Sequence, residues 1–303
     1  MAIVSSDLLA GLLTGYRAIA MEAMEAVKPD YPKIATEFPS LTDKETYAWL
    51  GATPAMSEWL DERKIYGALG FDYTLTNKSF EGTLAVDRNT LEDDKYALIK
   101  PLIQDLAQRA ARYPDELVIS LLTANGKAFD GTAFFADTRV IGDSANIDNL
   151  LAGAGVTEAN IRTDIGQAIV ALGGFQDARG KVMNLITGAA PLTIVCPLNL
   201  LVVIRSALLP GVAGVKRTEA EFVEHIIGSP ILDATDATDW YALITNRVLK
   251  PLIFQNRQKP QFVALDDPKS PEAFLRKRLL YGIDMRCNAG YGDPRLAVKI
   301  VNA

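Results

Sequence analysis

Residues 72–94 read DYTLTNKSFEGTLAVDRNTLEDD, and their alternation sets how the rest of the chain is understood. Phe71, Tyr73 and Leu75 fall on one side, with Asp72, Thr74 and Thr76 on the other. After Asn77-Lys78 the alternation resumes, with Phe80, Gly82, Leu84 and Val86 against Glu81, Thr83, Ala85 and Asp87. Period-two patterning broken by a short polar pair predicts a β-hairpin over 71–86 that turns at Asn77-Lys78. Asparagine tolerates the left-handed backbone of a tight tip. A two-stranded hairpin is marginal in water by itself, so its apolar side needs another surface. Phe71, Tyr73, Leu75, Phe80, Leu84 and Val86 are therefore expected to meet a second copy, with Asn77 and Lys78 at the tip.

The chain has 303 residues, enough for two compact regions or for one region with extensions. It is 49% hydrophobic and 22% charged, which argues against wholesale disorder. A formal net charge of -6 predicts no strong overall attraction to nucleic acid. Residues 5–27 pattern as an amphipathic helix. Asp7, Arg17, Glu22 and Glu25 interrupt its apolar run and no basic stretch precedes it, so neither a signal peptide nor a membrane span is expected. Residues 31–56 have no sustained period and several prolines. They predict an extended arm whose Ile34, Phe38, Tyr47 and Trp49 lie against a neighbouring surface.

Further along, a helix is expected over 98–113, complicated by Pro101, and a second over 115–124 opened by Pro114. Another spans 157–172 behind Thr157 as N-cap. Strands are expected at 192–196, 222–227, 241–245, 261–265, 279–287 and 296–301, with a helix starting at Pro197. The order is mixed α+β.

Candidate chemistry is sparse. Cys196 sits in the apolar run LTIVCPLNL, where burial makes a thiol inert, so a dyad with His225, the one histidine, is disfavoured. Cys196 and Cys287 are expected to be free thiols. Glu92-Asp93-Asp94 suits helix capping better than a cation, and Asp233, Asp236 and Asp239 suit turns and caps. The glycines form neither a phosphate loop nor a dinucleotide fingerprint. The basic run FLRKR (274–278) reads as a solvated face. No catalytic, cofactor-binding or metal-binding residue is expected.

Several motifs, in order, resemble the Mu-like phage major head subunit (gpT) family. They are YPKIATEFPS, YAWLGATPAMSEWL, DYTLTNKSFEGTLAVDRNTLEDDKY, PDELVISLL, DGTAFF, KPLIFQNRQKPQF and YGIDMRCNAGYGDPRLA. The resemblance implies a major capsid protein of a tailed bacteriophage or prophage with the Hong Kong 97-type fold. It further implies an N-terminal helix and arm (1–60), an extended hairpin or E-loop (61–92), and a peripheral domain with a long spine helix (93–140). An axial domain (141–249) and strands returning to the peripheral domain (250–303) complete the division. Function would then be self-assembly into hexamers and pentamers of an icosahedral shell enclosing double-stranded DNA without sequence-specific binding. Partners would be other copies, a scaffold, a portal and decoration proteins, with no membrane. The protein would occupy the host cytoplasm before assembly and the virion capsid afterwards. The alternatives are an encapsulin-like compartment and, more remotely, a cytosolic Cys/His enzyme.

Overall fold

The structure, a computed structural model, describes residues 6–47, 73–87, 89–90, 96–187, 190–209, 218–267 and 269–302. The chain opens with helix α1 (Ser6–Glu25), a single turn α2 (Tyr31–Ile34) and strand β1 (Ala35–Pro39). Strands β2 (Lys44–Thr46) and β3 (Thr74–Thr76) pair antiparallel as a separate two-stranded ribbon. Strand β4 (Lys78–Asp87) and the 29-residue helix α3 (Tyr96–Ala124) follow.

The second half supplies β5 (Leu150–Ala152), α4 (Glu158–Gly174), β6 (Leu192–Pro197), α5 (Leu198–Leu208) and β7 (Val223–Ser229). It continues through α6 (Pro230–Asp233), β8 (Trp240–Ile244), β9 (Leu252–Leu265), α7 (Pro271–Arg276), β10 (Arg278–Tyr291) and β11 (Ala297–Val301). A four-stranded sheet has the order β1-β9-β10-β4, and a five-stranded sheet the order β5-β11-β8-β6-β7.

Alternation within strands explains how the layers stack. In β8 every residue is buried; Trp240, Ala242 and Ile244 face one core, Tyr241 and Leu243 the other. The five-stranded sheet is thus a middle layer. On its first face lie Ile161, Ile165 and Leu172 of α4 with Ile204 of α5. On its second lie Val118 and Leu122 of α3 with Phe134 and Phe135. A third cluster joins Tyr16, Ala20 and Ala23 of α1 to Ile99, Ile103 and Ala107 of α3 over Leu279, Tyr281 and Ile283 of β10. Each large side chain fully buried there contributes about 1.5–3 kcal/mol by removal from water.

Much of the expected secondary structure is present, with four corrections. The hairpin turning at Asn77-Lys78 is absent: β3 pairs with β2, and β4 pairs with β10, Leu84 facing Tyr281 and Val86 facing Leu279. Burial switches sides at this point. Leu75 and Asn77 are buried, Lys78 and Ser79 are both exposed, and the inward positions then become 80, 82, 84 and 86. Two exposed residues in succession are a change of face, not a reversal. Period two reads the same whether a strand's partner is adjacent or distant.

The second correction concerns the first part of the arm, which packs on its own subunit: β1 pairs parallel with β9, Ala35 facing Leu252. The two helices expected around Pro114 are one, with Pro101 and Pro114 both inside it. Finally, the last strand does not return to the sheet of β9 and β10. It lies between β5 and β8.

Strand β9 is also longer than its sequence suggests, because Pro260 interrupts the pattern. Its pairing with β10 shifts register there, Gln258 opposite Arg286 and Gln261 opposite Asp284. Past Asn256 strand β1 has ended, so the missing proline N–H leaves no partner unsatisfied on that edge.

Candidate assembly surface

The ribbon β2–β3 is the feature that neither sheet absorbs. Tyr47 N–H donates to Tyr73 O at 2.8 Å where its two legs leave the described residues, and the Thr46 and Thr74 hydroxyls meet at 2.9 Å. Asp43 O accepts from Asn77 N at 2.9 Å, closing the inner end. Glu45 sits in the turn beneath, where its Oε1 accepts from Leu41 N, Thr42 N and the Ser40 hydroxyl at 3.0, 3.2 and 3.0 Å. Those bonds hold its carboxyl below the usual range, the backbone N–H of Leu41 contributing most.

The expected contact residues divide sharply against this geometry. Trp49 and Phe71 lie outside the described residues, as do Glu92, Asp93 and Asp94. Ile34 is 0% exposed, Tyr47 5%, Leu75 7%, Asn77 8% and Val86 6%, so all five are interior to their own subunit. Tyr73 is half-buried, and its hydroxyl accepts from Tyr291 N at 3.0 Å. Phe38 packs 5.5 Å from Tyr47, and Phe80 packs 4.8 Å from Tyr113 of α3. Leu84 is half-buried on the cluster of α1 and α3. Of the described set only Lys78 is open to solvent. From 73 to 86 the apolar side chains are therefore packed within their own subunit, Leu75 in the core beneath the five-stranded sheet and Phe80, Leu84 and Val86 against α1 and α3.

Apolar side chains are exposed elsewhere, at positions the sequence did not single out. Leu41 is 82% exposed in the turn under the ribbon. Phe274 and Leu275 are 81% and 74% exposed on α7, beside exposed Arg276, Lys277 and Arg278. The solvated face expected of FLRKR is present, with two apolar residues on it. On α5, Leu198 and Val202 are exposed, and Leu209 follows just beyond its end. Four-residue spacing was the available signal for the first two, but a helix following a buried strand reads equally as core.

The Cys196–His225 dyad does not come together. Cys196 pairs in register with Gly228 and His225 with Thr193, three residues apart along the strands, or roughly 10 Å. Burial pushes the Cys196 thiol up to about 12, so it carries no thiolate at neutral pH. The aspartates of 233–239 take structural places. Asp233 accepts from Leu198 N and Asn199 N at 2.8 and 3.1 Å, capping α5. Asp236 closes a turn onto Thr238 N at 2.8 Å, and Asp239 pairs with Lys299 at 2.7 Å. Among the described residues no group of three or more His, Cys, Asp or Glu is placed to hold a metal. No helix there is long and apolar enough to cross a membrane.

Two of the concavities against α3 are lined mainly by apolar side chains. One of about 670 Å³ sits between α1 and the sheet, lined by Met21, Met24, Pro114, Phe262 and Met285. The other, about 420 Å³, runs beside β4 along Leu106, Ala110, Tyr113 and Phe80.

Comparison with known proteins supplies what geometry alone does not. A family described as Mu-like prophage major head subunit gpT matches residues 9–200 and 220–302. The Mu-like prophage FluMu major head subunit of Haemophilus influenzae is 26% identical over 299 residues, which is 98% of this chain and 74% of that protein. The major capsid protein of Escherichia phage Mu is 27% identical over 300 residues, covering 98% of this chain and 75% of the other. Among solved structures, a chain of the procapsid of bacteriophage JBD30 superposes with a TM-score of 0.62 at 27% identity, over 99% of this chain and 77% of that one.

Proposed function

The chain belongs to the Mu-like prophage major head subunit gpT family and is a phage major capsid protein of the Hong Kong 97-type fold; we propose that its copies close into hexamers and pentamers of an icosahedral shell around double-stranded DNA. The observation that carries the reading is the family match, which takes in nearly the whole chain and both sheets. The relatives are head and capsid proteins, which disfavours a compartment built to house enzymes.

Within that reading the four-stranded sheet with α3 forms the peripheral domain, and most of 141–249 the axial domain. The ribbon β2–β3 is the root from which residues 48–72, Trp49 and Phe71 among them, meet a neighbouring subunit. Leu41, at that root, and the apolar residues of α5 and α7 are further surfaces for other copies. A stable interface buries about 1,200–2,000 Å² in total. Scaffold, portal and decoration proteins complete the particle, and the subunit waits in the host cytoplasm.

Electron microscopy and analytical ultracentrifugation of the purified protein, alone and co-expressed with its genomic neighbours, test this. Closed shells of uniform diameter are expected. A chain that stays monomeric under every condition, including with its neighbours, overturns it.

A further inference from the structure

Resting on that capsid reading, we propose that the side-chain amide of Gln255 sets the direction of the ribbon β2–β3 on the body of the subunit, before any neighbour is met. Gln255 lies on β9, is 0% exposed, and stands in register with Phe38 of β1 and Asn288 of β10. Its position is thus fixed by pairing on both sides. From there its amide reaches three separate points at the ribbon. Oε1 accepts from the Tyr47 hydroxyl at 2.9 Å, on the outgoing leg. Nε2 donates to Leu75 O at 3.2 Å, on the returning leg, and to Asn77 Oδ1 at 2.8 Å, where the chain enters β4.

Asn77 carries the network outward. Its Nδ2 donates to the Ser40 hydroxyl at 2.8 Å and to Thr42 O at 2.9 Å, in the turn that Glu45 organises. One primary amide has one acceptor oxygen and two N–H donors, and all three functions of Gln255 are used at the ribbon. Strands of three residues each do not hold a direction unaided. Bonds to the body of the subunit must supply it, and Gln255 is where bonds from both legs converge. The network is buried and mutually satisfied, the condition under which polar contacts specify one geometry. A side chain of similar volume without the amide fills the same space yet removes the bonds to the Tyr47 hydroxyl, Leu75 O and Asn77 Oδ1. Gln255 is therefore a positioning residue for assembly, acting through Tyr47 and Asn77.

The test uses Gln255→Met in the full chain, with nitroxides at Lys44→Cys on the ribbon and Glu116→Cys on α3, both exposed. The native thiols are buried and stay unlabelled in the folded protein. In the dilute, unassembled parent subunit a single narrow distance is expected by pulsed electron paramagnetic resonance. In Gln255→Met the distribution should widen at least twofold while circular dichroism and cooperative melting persist. The yield of closed particles from the unlabelled variant should fall at least tenfold. An unchanged distance width, or a parent distribution already broad, overturns the proposal, and so does a widened distribution with undiminished particle yield. Should Gln255→Met fail to fold, Asn77→Ala, which removes one branch only, is read by the same two measurements. A parent that shows the narrow distance but forms no shells defeats the capsid reading instead, and the distance widths still decide the role of Gln255.

Discussion

Phe80 shows at the scale of one residue how burial redirects an expectation. Alternation placed it on a face shared between copies, whereas its ring packs on Tyr113 within the subunit. Phe80→Asp should accordingly unfold the subunit more easily, by about 3–5 kcal/mol from lost burial and a desolvated charge, measured by urea titration of the monomer. A loss of shells with unchanged monomer stability would contradict that placement. The thiols give a second expectation. Burial raises both Cys196 and Cys287 from their ordinary value to about 12. Between about pH 9 and 12 the unfolded chain sheds these protons and the native one keeps them. Stability is therefore fully present below pH 9 and falls above it, by about 1.4 kcal/mol per pH unit for each thiol. Burial also pushes up the phenols of Tyr31, Tyr241 and Tyr281, which steepens the same decline above pH 10. Denaturant midpoints measured from pH 8 to 11 should drop continuously over the upper half of that range, and a flat profile would contradict the buried thiols.

Elements differ in how far they were legible. Thr157 announces α4 and accepts from Asn160 N at 3.3 Å, a local signal that needs no tertiary knowledge. Buried runs such as LTIVCP and WYALI likewise declare themselves as strands by composition. Helix α3 was legible only in halves, because Pro114 ordinarily ends a helix. Here it is buried one turn before Val118, and Asp115 accepts from Tyr31 N at 2.6 Å, so tertiary packing carries the helix through. Strand partners were not legible at all. Leu84 faces Tyr281 across nearly 200 intervening residues, and alternation holds no information about such a partner. The same blindness paired 71–75 with 80–86, while the family motifs still identified the fold. Pro101 provides the test at this scale. It is exposed, so Pro101→Ala sacrifices little packing and restores a backbone N–H for the carbonyl of Ala97. Melting temperature should rise, by the equivalent of about 1–3 kcal/mol. A lower melting temperature would mean that the proline shapes the helix for its packing on α1.

The whole molecule separates what folds it from what assembles it. The described residues pack into three cores, and β1 and β4, parts of the segments expected to reach outward, are packed inward. The stretch between Tyr47 and Tyr73 begins and ends within one backbone hydrogen bond, at 2.8 Å. That closeness permits a direct substitution: residues 48–72 replaced by a short Asn-Gly turn, which suits a tight two-stranded connection. The shortened subunit should melt cooperatively within a few degrees of the parent, since the Gln255 and Asn77 bonds at the root are untouched. It should also remain monomeric in sedimentation velocity where the parent forms shells, because the segment assigned to the neighbour is gone. Subunit contacts are repeated over every copy, so a deficit too small to notice in one pair is multiplied around a closed surface. Shells of normal diameter from the shortened chain would move the decisive contacts to α5 and α7, where Val202, Phe274 and Leu275 are the side chains to replace next.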